Sequence, residues 1–269
     1  MKVDLHCHSN FSDGELSPCE LAQYAKQAGA DAFALTDHDT MCGVNEARIA
    51  ARNLGLKFVA GVEISAYCGA NVHVLGYNVN AADSRFVAFE KEISEKREER
   101  AVRTLAVLEK HGMSLTLGDV YKYARRNPSR AHIARALVAA GYERDIRSCF
   151  SKWLKEGAPC YIPTDFMTPE QAVSFIRALG GKAVLAHPVR LKLSEEECEN
   201  LIARMSGCGL DGIEASYKFS DEQTVERYRA LAEKYSLFVT NGGDFHAPDR
   251  SAFVPREVGG ETLSALGLK

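Results

Sequence analysis

Imidazole and carboxylate side chains recur together near the ends of predicted β-strands, and this mixture of donors is typical of divalent-metal sites. The first pair stands in His6-Cys7-His8, within an alternating segment near the N-terminus. Side chains two residues apart in a strand point to one face, so the two imidazoles share a face and Cys7 points toward the core. The other members of the set are Asp13, His38, Glu63, His73, His187, Asp244 and His246.

Six of the eight histidines lie at or near predicted strand ends beside acidic residues. A single histidine in a strand is usually a core residue with satisfied hydrogen bonds, but that explanation does not account for six in one arrangement. In barrels of parallel strands, the carboxyl ends of the strands carry the active site. We therefore interpret the set as a metal centre at that end of a barrel.

Strands and helices alternate in residues 1–82 and again after Met167, which predicts a parallel sheet covered by helices. Such a sheet is either a barrel or a doubly wound sheet. The predicted strands cover residues 3–8, 32–38, 58–65, 72–79, 183–187, 212–216 and 238–244. The predicted helices of the same parts cover residues 18–28, 45–53, 169–179, 195–205 and 221–235.

Residues 83–160 break this rhythm with consecutive predicted helices over residues 90–110, 117–125, 130–140 and 146–154. We interpret them as a helical insertion, or lid, in a barrel formed by residues 1–82 and 161–269. Residues 90–155 carry a net charge of +6, whereas the rest of the chain carries −9. A basic lid above an acidic, metal-binding barrel suits an anionic substrate, although long helices often carry solvated charge.

The composition excludes several classes of protein. A net charge of −3 over 269 residues does not favour a general nucleic-acid binder. The residues after Met1 lack the pattern of a secretory leader, and the longest stretch without Asp, Glu, Lys or Arg predicts two strands and a turn rather than a membrane span. The eight cysteines include no C-x-x-C pair, so we expect reduced thiols and a cytoplasmic location.

Four ordered motifs resemble those of the polymerase and histidinol phosphatase (PHP) family. They are His6-Cys7-His8, Thr36-Asp37-His38-Asp39, Ala186-His187-Pro188 and Asp244-Phe245-His246, with Glu63 and His73 at further ligand positions. The resemblance implies an α/β fold, a distorted (β/α)7 barrel of the PHP type with a helical insertion. It also implies an enzyme, a metal-dependent phosphatase or phosphodiesterase with three divalent metal ions.

The resemblance also implies which residues would hold each of the three metals. The first metal would be held by His6, His8, Glu63 and Asp244; the second would share Glu63 and add His73 and His187; the third would be held by Asp13, His38 and His246. Manganese is preferred, and iron or zinc also suits these donors. Two neighbouring metals would activate a water as hydroxide for attack on phosphorus. Glu63, as their bridge, and Asp13 are therefore the expected catalytic residues, and Asp39 is a further candidate.

The insertion offers candidates for binding the substrate. The segment Asn127-Pro128-Ser129 predicts a turn and a serine cap before a helix that begins at Arg130. An arginine in the first helical turn opposes the helix dipole, and a bound anion would relieve that conflict. Glu214, at the end of a predicted strand, either lines the pocket or caps the strand. Since the resemblance extends to the Arg-x-His stretch, Arg130, His132 and Arg135 are expected to bind the substrate. Tyr161, where the chain returns to the barrel, is a further candidate for contact with the substrate.

The leading hypothesis is a phosphoesterase that removes the 3′-phosphate from a nucleoside 3′,5′-bisphosphate. The alternatives are a 5′→3′ exonuclease on short single-stranded RNA or DNA and a histidinol-phosphate phosphatase. A degenerate metal-binding regulatory module is the alternative that is not an enzyme, and the full set of ligand residues argues against it. An amidohydrolase is conceivable on a barrel, but nothing in the motifs favours it. The expected partner is a small phosphorylated substrate, and no membrane is expected.

Overall fold

Six parallel strands and one reversed strand follow one another around a barrel in the order of the sequence. The computed structural model describes residues 1–218, 220–248, 253 and 255–268. The strands are β1 (Lys2–Asp4), β2 (Ala32–Leu35), β3 (Lys57–Tyr67), β4 (Asn71–Tyr77), β5 (Lys182–Leu185), β6 (Gly212–Tyr217), β7 (Phe238–Gly242) and β8 (Arg256–Glu257). Their order in the sheet is β7-β6-β5-β4-β3-β2-β1-β8.

The sheet closes on itself beyond the ends of β7 and β1. The Leu5 N–H donates to the Asn241 carbonyl at 3.2 Å, and the His8 N–H donates to the Phe245 carbonyl at 2.8 Å. Cys7 and Phe245 form an isolated parallel bridge between these hydrogen bonds. This closure confirms the predicted distorted barrel. The described part of the sheet has eight strands rather than seven, because the two-residue β8 pairs antiparallel with β1.

The predicted parallel sheet contains one reversed strand, β4, which runs antiparallel to both β3 and β5. Only residues 68–70 join β3 to β4, and a connection of this length makes a hairpin rather than a crossover. The start of β4 consequently lies at the same edge of the barrel as the carboxyl ends of the six parallel strands. His73, near that start, is brought to the same edge as the predicted ligands on the other strands.

Each predicted helix is present. The helices are α1 (Pro18–Gln27), α2 (Val44–Asn53), α3 (Ser84–Lys110), α4 (Leu117–Tyr121), α5 (Arg130–Ala139), α6 (Ile146–Cys149), α7 (Pro169–Ala178), α8 (Glu195–Gly207), α9 (Glu222–Lys234) and α10 (Gly260–Ala265). The helix α3 begins six residues earlier than predicted because Asp83 caps it, accepting a hydrogen bond from the Arg85 N–H. Among the residues that the structure describes, no helix has both the length and the apolar character of a membrane span.

Alternation along the strands divides the barrel core into two clusters. In β2, Ala32 and Ala34 join the inner cluster inside the barrel, whereas Phe33 and Leu35 join the outer cluster under the helices. Alternate residues of a strand face opposite sides of a sheet, so small side chains point inward and large ones outward. All eight cysteines lie within the described residues, and each is a free thiol, as predicted.

The helices α3 to α6 pack around an apolar cluster of their own, which includes Leu105, Leu108, Ile133 and Leu137. A separate cluster is what an inserted unit needs in order to hold its own shape. The division into a barrel of residues 1–82 and 161–269 and an insertion of residues 83–160 stays a prediction.

One buried ion pair ties α3 to the barrel. Arg97 of α3 pairs with Asp39, whose carboxylate also accepts hydrogen bonds from the Ser65 N–H at 2.7 Å and hydroxyl at 2.9 Å. Burial disfavours the charged carboxylate, but Arg97 holds the pKa of Asp39 below its ordinary value. Asp39 also has a φ of 55°, in the left-handed region, so this short network fixes an unusual backbone conformation.

We predict that Arg97→Met destabilises the protein, because it leaves the buried Asp39 carboxylate without its cation. Removing one partner of a buried pair typically costs about 3–5 kcal/mol of unfolding free energy. Urea unfolding measures this cost, and Arg103→Met, at an exposed position of the same helix, is the matched control. A loss below about 1 kcal/mol, the size typical of exposed pairs, would contradict the tie.

Candidate metal centre

Glu63 on β3 is fully buried and surrounded by five imidazoles. Its Oε2 lies 3.3, 3.2 and 3.0 Å from ring nitrogens of His6, His8 and His38, and its Oε1 lies 2.8 and 3.0 Å from those of His73 and His187. Each carboxylate oxygen therefore faces a different group of imidazoles. This is the arrangement that a carboxylate needs in order to bridge two cations.

Two further carboxylates complete the ring of donors. The Oδ1 of Asp13 lies 3.1 Å from His246 Nε2 and 3.7 Å from His38 Nε2. The Oδ1 of Asp244 lies 3.2 Å from His8 Nε2 and 3.5 Å from His246 Nδ1. The nine predicted ligand residues are thus brought to one end of the barrel.

Three overlapping groups among the described residues have ligand atoms within 4.8 Å of one another. The groups are His6, His8, Glu63 and Asp244; His38, Glu63 and His73; and His8, Asp13, His38 and His246. The first matches the predicted first set, and the third is the predicted third set with His8 added. The second contains His38 where the prediction had His187, although His187 Nε2 does approach Glu63 Oε1. The assignment of each residue to one particular metal stays a prediction.

The donor atoms fit cations that would lie between them. Five of these atoms are buried and make no hydrogen bond within the described part of the chain: His6 Nε2, His8 Nε2, Asp13 Oδ1, His38 Nδ1 and Glu63 Oε2. Leaving a buried polar atom unsatisfied costs about 1–3 kcal/mol, and a bound cation would remove that cost. Burial opposes the charge on Glu63, yet the imidazoles of His38 and His6 hold its pKa well below the ordinary value. The carboxylate is consequently ionised and ready to bind metal.

The loop that carries Asp13 is held by a buried carboxylate. Asp37 accepts hydrogen bonds from the Ser9 N–H, the Ser9 hydroxyl and the Ser12 hydroxyl, each at 2.7 Å. Gly14 follows Asp13 where a Cβ would lie only 2.3 Å from the His8 carbonyl oxygen, so the close return of the loop requires glycine. Asp37 therefore supports the centre without facing it.

Glu214, in the middle of β6, orients two of the imidazoles. Its Oε1 lies 3.1 Å from His6 Nδ1, and its Oε2 accepts the His187 N–H at 2.7 Å. The hydrogen bond on Nδ1 turns His6 Nε2 toward Glu63, as partners of metal-binding histidines generally do. Gly242 has no side chain in the space beside them, where a Cβ would lie 2.3 Å from Glu214 Oε1. Glu214 is buried among the ligand residues, and the two sequence interpretations of it, pocket lining and strand cap, stay predictions.

Arg190 and Tyr217, which sequence reasoning missed, hold the other side of the Asp244 carboxylate. Asp244 Oδ2 lies 2.8 Å from Arg190 Nη1 and 3.1 Å from the Tyr217 hydroxyl. These donors occupy one oxygen and leave Oδ1 for the imidazoles. Asp244 has a φ of 46° and His187 a φ of 26°, and such backbone conformations are concentrated at functional sites. Arg190 stands in a short 3₁₀ turn, where no periodicity could have revealed its direction.

The predicted catalytic role of Asp39 is not favoured by its surroundings. Its carboxylate is occupied by Arg97 and Ser65 and anchors the insertion, although His38 precedes it in the chain. Asp4 is another buried acid that the sequence did not reveal. It accepts the Gly243 N–H at 2.9 Å, and burial raises its pKa to about 6.

Three arginines of the insertion face the centre across a cavity of about 110 Å³. Arg97, Arg100 and Arg130 line one part of it, and Asp13, His38 and His73 line another. Arg100 is only 8% exposed and donates to the Thr164 hydroxyl at 2.9 Å. Burial lowers the pKa of Arg100 to about 9, so the side chain is still charged at neutral pH. In the described part of the chain, neither Arg100 nor Arg130 has a carboxylate oxygen within 4.0 Å.

The other predicted substrate-binding residues lie less directly on this cavity. Arg135 donates to the Asp13 carbonyl at 3.0 Å and pairs with Glu15, so it supports the loop of the centre. His132 is buried, its Nδ1 accepts the Ser129 N–H at 3.0 Å, and burial lowers its pKa to about 4. Tyr161 lies 5.3 Å from the Arg130 guanidinium and lines an adjoining cavity. Their role in binding substrate stays a prediction.

Comparison with known proteins gives a match to the PHP domain over residues 4–243. The chain is 36% identical over 261 residues to a 3′,5′-nucleoside bisphosphate phosphatase of Chromobacterium violaceum, covering 96% of this chain and 90% of the relative. It is 34% identical over 248 residues to a 5′-3′ exoribonuclease of Haemophilus influenzae, covering 92% of this chain and 90% of the relative.

Two solved structures are similar over almost their whole length. One is an amidohydrolase from Chromobacterium violaceum with bound sulfate and no metal, with a TM-score of 0.90 and 34% identity, covering 97% of this chain and 93% of that one. The other is described as a metal-dependent phosphoesterase from Bifidobacterium adolescentis, with a TM-score of 0.88 and 29% identity, covering 98% and 94%. Both likenesses support the barrel fold, and the second, together with the two curated relatives, supports the phosphoesterase class.

We predict that Glu63→Gln lowers the bound metal by more than one equivalent and abolishes turnover. The substitution keeps the shape of the side chain but removes the charge that lies between the imidazoles. Elemental analysis of the variant, reconstituted with manganese, measures the metal content, and Glu196→Gln, on the exposed side of α8, is the control. Full metal content in the Glu63 variant would contradict the bridging role.

Proposed function

Since this chain belongs to the PHP domain family of metal-dependent phosphoesterases, we propose that it hydrolyses the 3′-phosphate ester of nucleoside 3′,5′-bisphosphates. Three divalent cations, with manganese preferred over iron or zinc, would be held around Glu63. The observation that supports this substrate is the cavity lined both by residues of the metal centre and by Arg97, Arg100 and Arg130. The eight free thiols suit a reducing compartment, so we propose the cytoplasm as the location.

The charges of Arg100 and Arg130 favour binding of a second anion, in addition to the one at the metals. Arg97 already has Asp39 as a partner, whereas Arg100 and Arg130 have no carboxylate partner in the described part of the chain. Placing two such cations in a protein interior is unfavourable unless an anion compensates them. Arginine is well suited to phosphate because its planar fork donates two parallel hydrogen bonds. A substrate with two separated phosphates would use both the centre and these arginines.

Bound cations would supply Lewis acidity and an activated water, so no separate protein base is required. The residues of the chain position the reacting groups. Glu63, Asp13 and Asp244 would hold the cations through their carboxylates, and Glu214 and Arg190 orient the ligands that contact them. Arg100 and Arg130 would hold the 5′-phosphate, so that binding energy from the remote group lowers the barrier at the 3′-phosphate.

The relatives support this substrate and one alternative. The Chromobacterium relative is named for the bisphosphate reaction, and the Haemophilus relative is named as an exoribonuclease. A single-stranded nucleic acid with a terminal 5′-phosphate would also engage the arginines, so exonuclease activity is the second candidate. Histidinol phosphate has one phosphate and would leave Arg100 and Arg130 uncompensated. A regulatory module without activity is not supported, because all nine ligand residues converge.

We predict that adenosine 3′,5′-bisphosphate has a kcat/KM at least about tenfold higher than adenosine 3′-monophosphate, equivalent to about 1.4 kcal/mol. The expected cause is the second phosphate, which only the bisphosphate presents to the arginines. Release of inorganic phosphate by the manganese-loaded enzyme measures both values. Equal values for the two nucleotides would overturn the two-phosphate substrate.

We predict that Arg100→Gln lowers kcat/KM for the bisphosphate by roughly ten- to a hundredfold, since one charge-assisted contact is worth about 1.5–3 kcal/mol. The same variant should change kcat/KM for adenosine 3′-monophosphate much less and leave the metal content intact. Arg103→Gln, one turn further along α3 and exposed, is the matched control. Equal losses on both substrates would instead indicate general damage to the centre.

A further inference from the structure

A second cavity lies on the far side of the Asp13 loop and has a volume of about 750 Å³. It is lined by the segment from Tyr121 to Arg125, by the second half of α5 and by the loop residues Asn10, Gly14 and Glu15. The volume lies within the range of about 300–1,000 Å³ that is typical of ligand sites. None of the proposed chemistry at the metal centre uses this cavity.

The large cavity adjoins the metal centre at the Asp13 loop. Asp13 lines the small arginine cavity, whereas the next two residues, Gly14 and Glu15, line the large one. The helix α5 also borders both, with Arg130 on the small cavity and Arg135 on the large one. The ten residues of α5 span about 15 Å at 1.5 Å a residue, so the two cavities are close neighbours.

Aromatic and cationic side chains alternate in the lining segment Tyr121-Lys122-Tyr123, and Arg125 adds a further cation after Ala124. Tyr121 is 38% exposed, and the side chains of Lys122 and Arg125 are 69% and 52% exposed. Lys122 and Arg125 have acidic neighbours, but exposed ion pairs of this kind are weak and easily exchanged for another anion. Arg125 lies 4.1 Å from the Phe11 ring centroid, which keeps its guanidinium at the rim of the cavity.

We propose that this cavity, here named the exit groove, binds the nucleotides of a single-stranded nucleic acid that follow the one being cleaved. Such sites combine cations that follow the backbone with aromatic rings on which bases stack, and the exit groove offers both. The proposal rests on the proposed function, in which the 5′-terminal nucleotide sits between the arginines and the metals. The 3′ continuation of the strand then leaves across the Asp13 loop into the groove.

The chemistry balances for a strand as it does for a bisphosphate. Water adds to the phosphorus that joins the first two nucleotides, and the bond from phosphorus to the 3′ oxygen of the first nucleotide breaks. That oxygen takes a proton and leaves as a 3′ hydroxyl. The phosphate stays on the 5′ carbon of the shortened strand, which therefore carries the terminal 5′-phosphate needed for the next cycle.

The test compares two double variants of the insertion on two substrates. Tyr121→Ala with Lys122→Ala removes a ring and a cation from the exit groove. Tyr142→Ala with Arg144→Ala likewise removes a tyrosine ring and a cation, from another exposed part of the insertion. We expect the groove variant to lose about tenfold in kcat/KM on a 5′-phosphorylated hexaribonucleotide and to keep its activity on adenosine 3′,5′-bisphosphate. The control variant should keep both activities.

Direct binding separates the groove from the catalytic proposal. Fluorescence anisotropy of a labelled hexaribonucleotide, measured across salt concentrations, should show that Lys122→Ala with Arg125→Ala weakens binding. The slope of log affinity against log salt should fall by about 1.4, because each lost contact with a single-stranded phosphate removes about 0.7.

Unchanged hexaribonucleotide kinetics and an unchanged salt slope would overturn the exit groove. So would a wild-type enzyme that cleaves the bisphosphate but neither cleaves nor binds the hexaribonucleotide, and in that case the proposed function stands. If neither substrate is hydrolysed, the proposed function fails. The binding slopes then still decide whether the groove holds nucleic acid.

Discussion

The buried Glu63 carboxylate sets the conditions that the rest of the barrel must meet. A charge in the interior needs compensation, and here five imidazoles surround it. Two of them follow β1, and the other three lie on β4 or just after β2 and β5. His6 follows β1 and His187 follows β5, yet their rings lie 5.4 Å apart. A closed barrel allows this, because an open sheet would hold the ends of these two strands far apart. The left-handed backbone at His187 and Asp244 is a local cost of that convergence.

Much of the fold and centre could be predicted from the sequence, because both depend on short-range rules. The period of two placed His6 and His8 together, and strand–helix alternation indicated the barrel. The sequence indicated two strands and a turn at β3 and β4, but the reversed direction of β4 became clear only once the three-residue connection was known. Arg190 and Asp4 could not be predicted, since their directions depend on the path of a 3₁₀ turn and on the closure of the barrel.

The spacing of the arginines along α3 and α5 decides which of them reach the same cavity. Residues three or four apart share a helix face, whereas residues five apart do not. Arg130 and Arg135 are five apart and accordingly reach different cavities. Arg97 and Arg100 are three apart and line the same one. Arg100 and Arg103 are also three apart, yet Arg103 is exposed. The spacing alone therefore could not select Arg97 and Arg100, because their orientation toward the metals depends on the packing of α3 on the barrel.

The tie between Arg97 and Asp39 has a thermodynamic consequence. Asp39 directly follows His38, so the contact that docks α3 also restrains the backbone of a candidate ligand. Two equilibria that act on adjacent residues in this way are linked, and linkage is reciprocal. Any tightening of cation binding caused by the docked insertion must be matched by an equal gain in docking when cations bind. Bound cations would then hold α3 more firmly against the barrel.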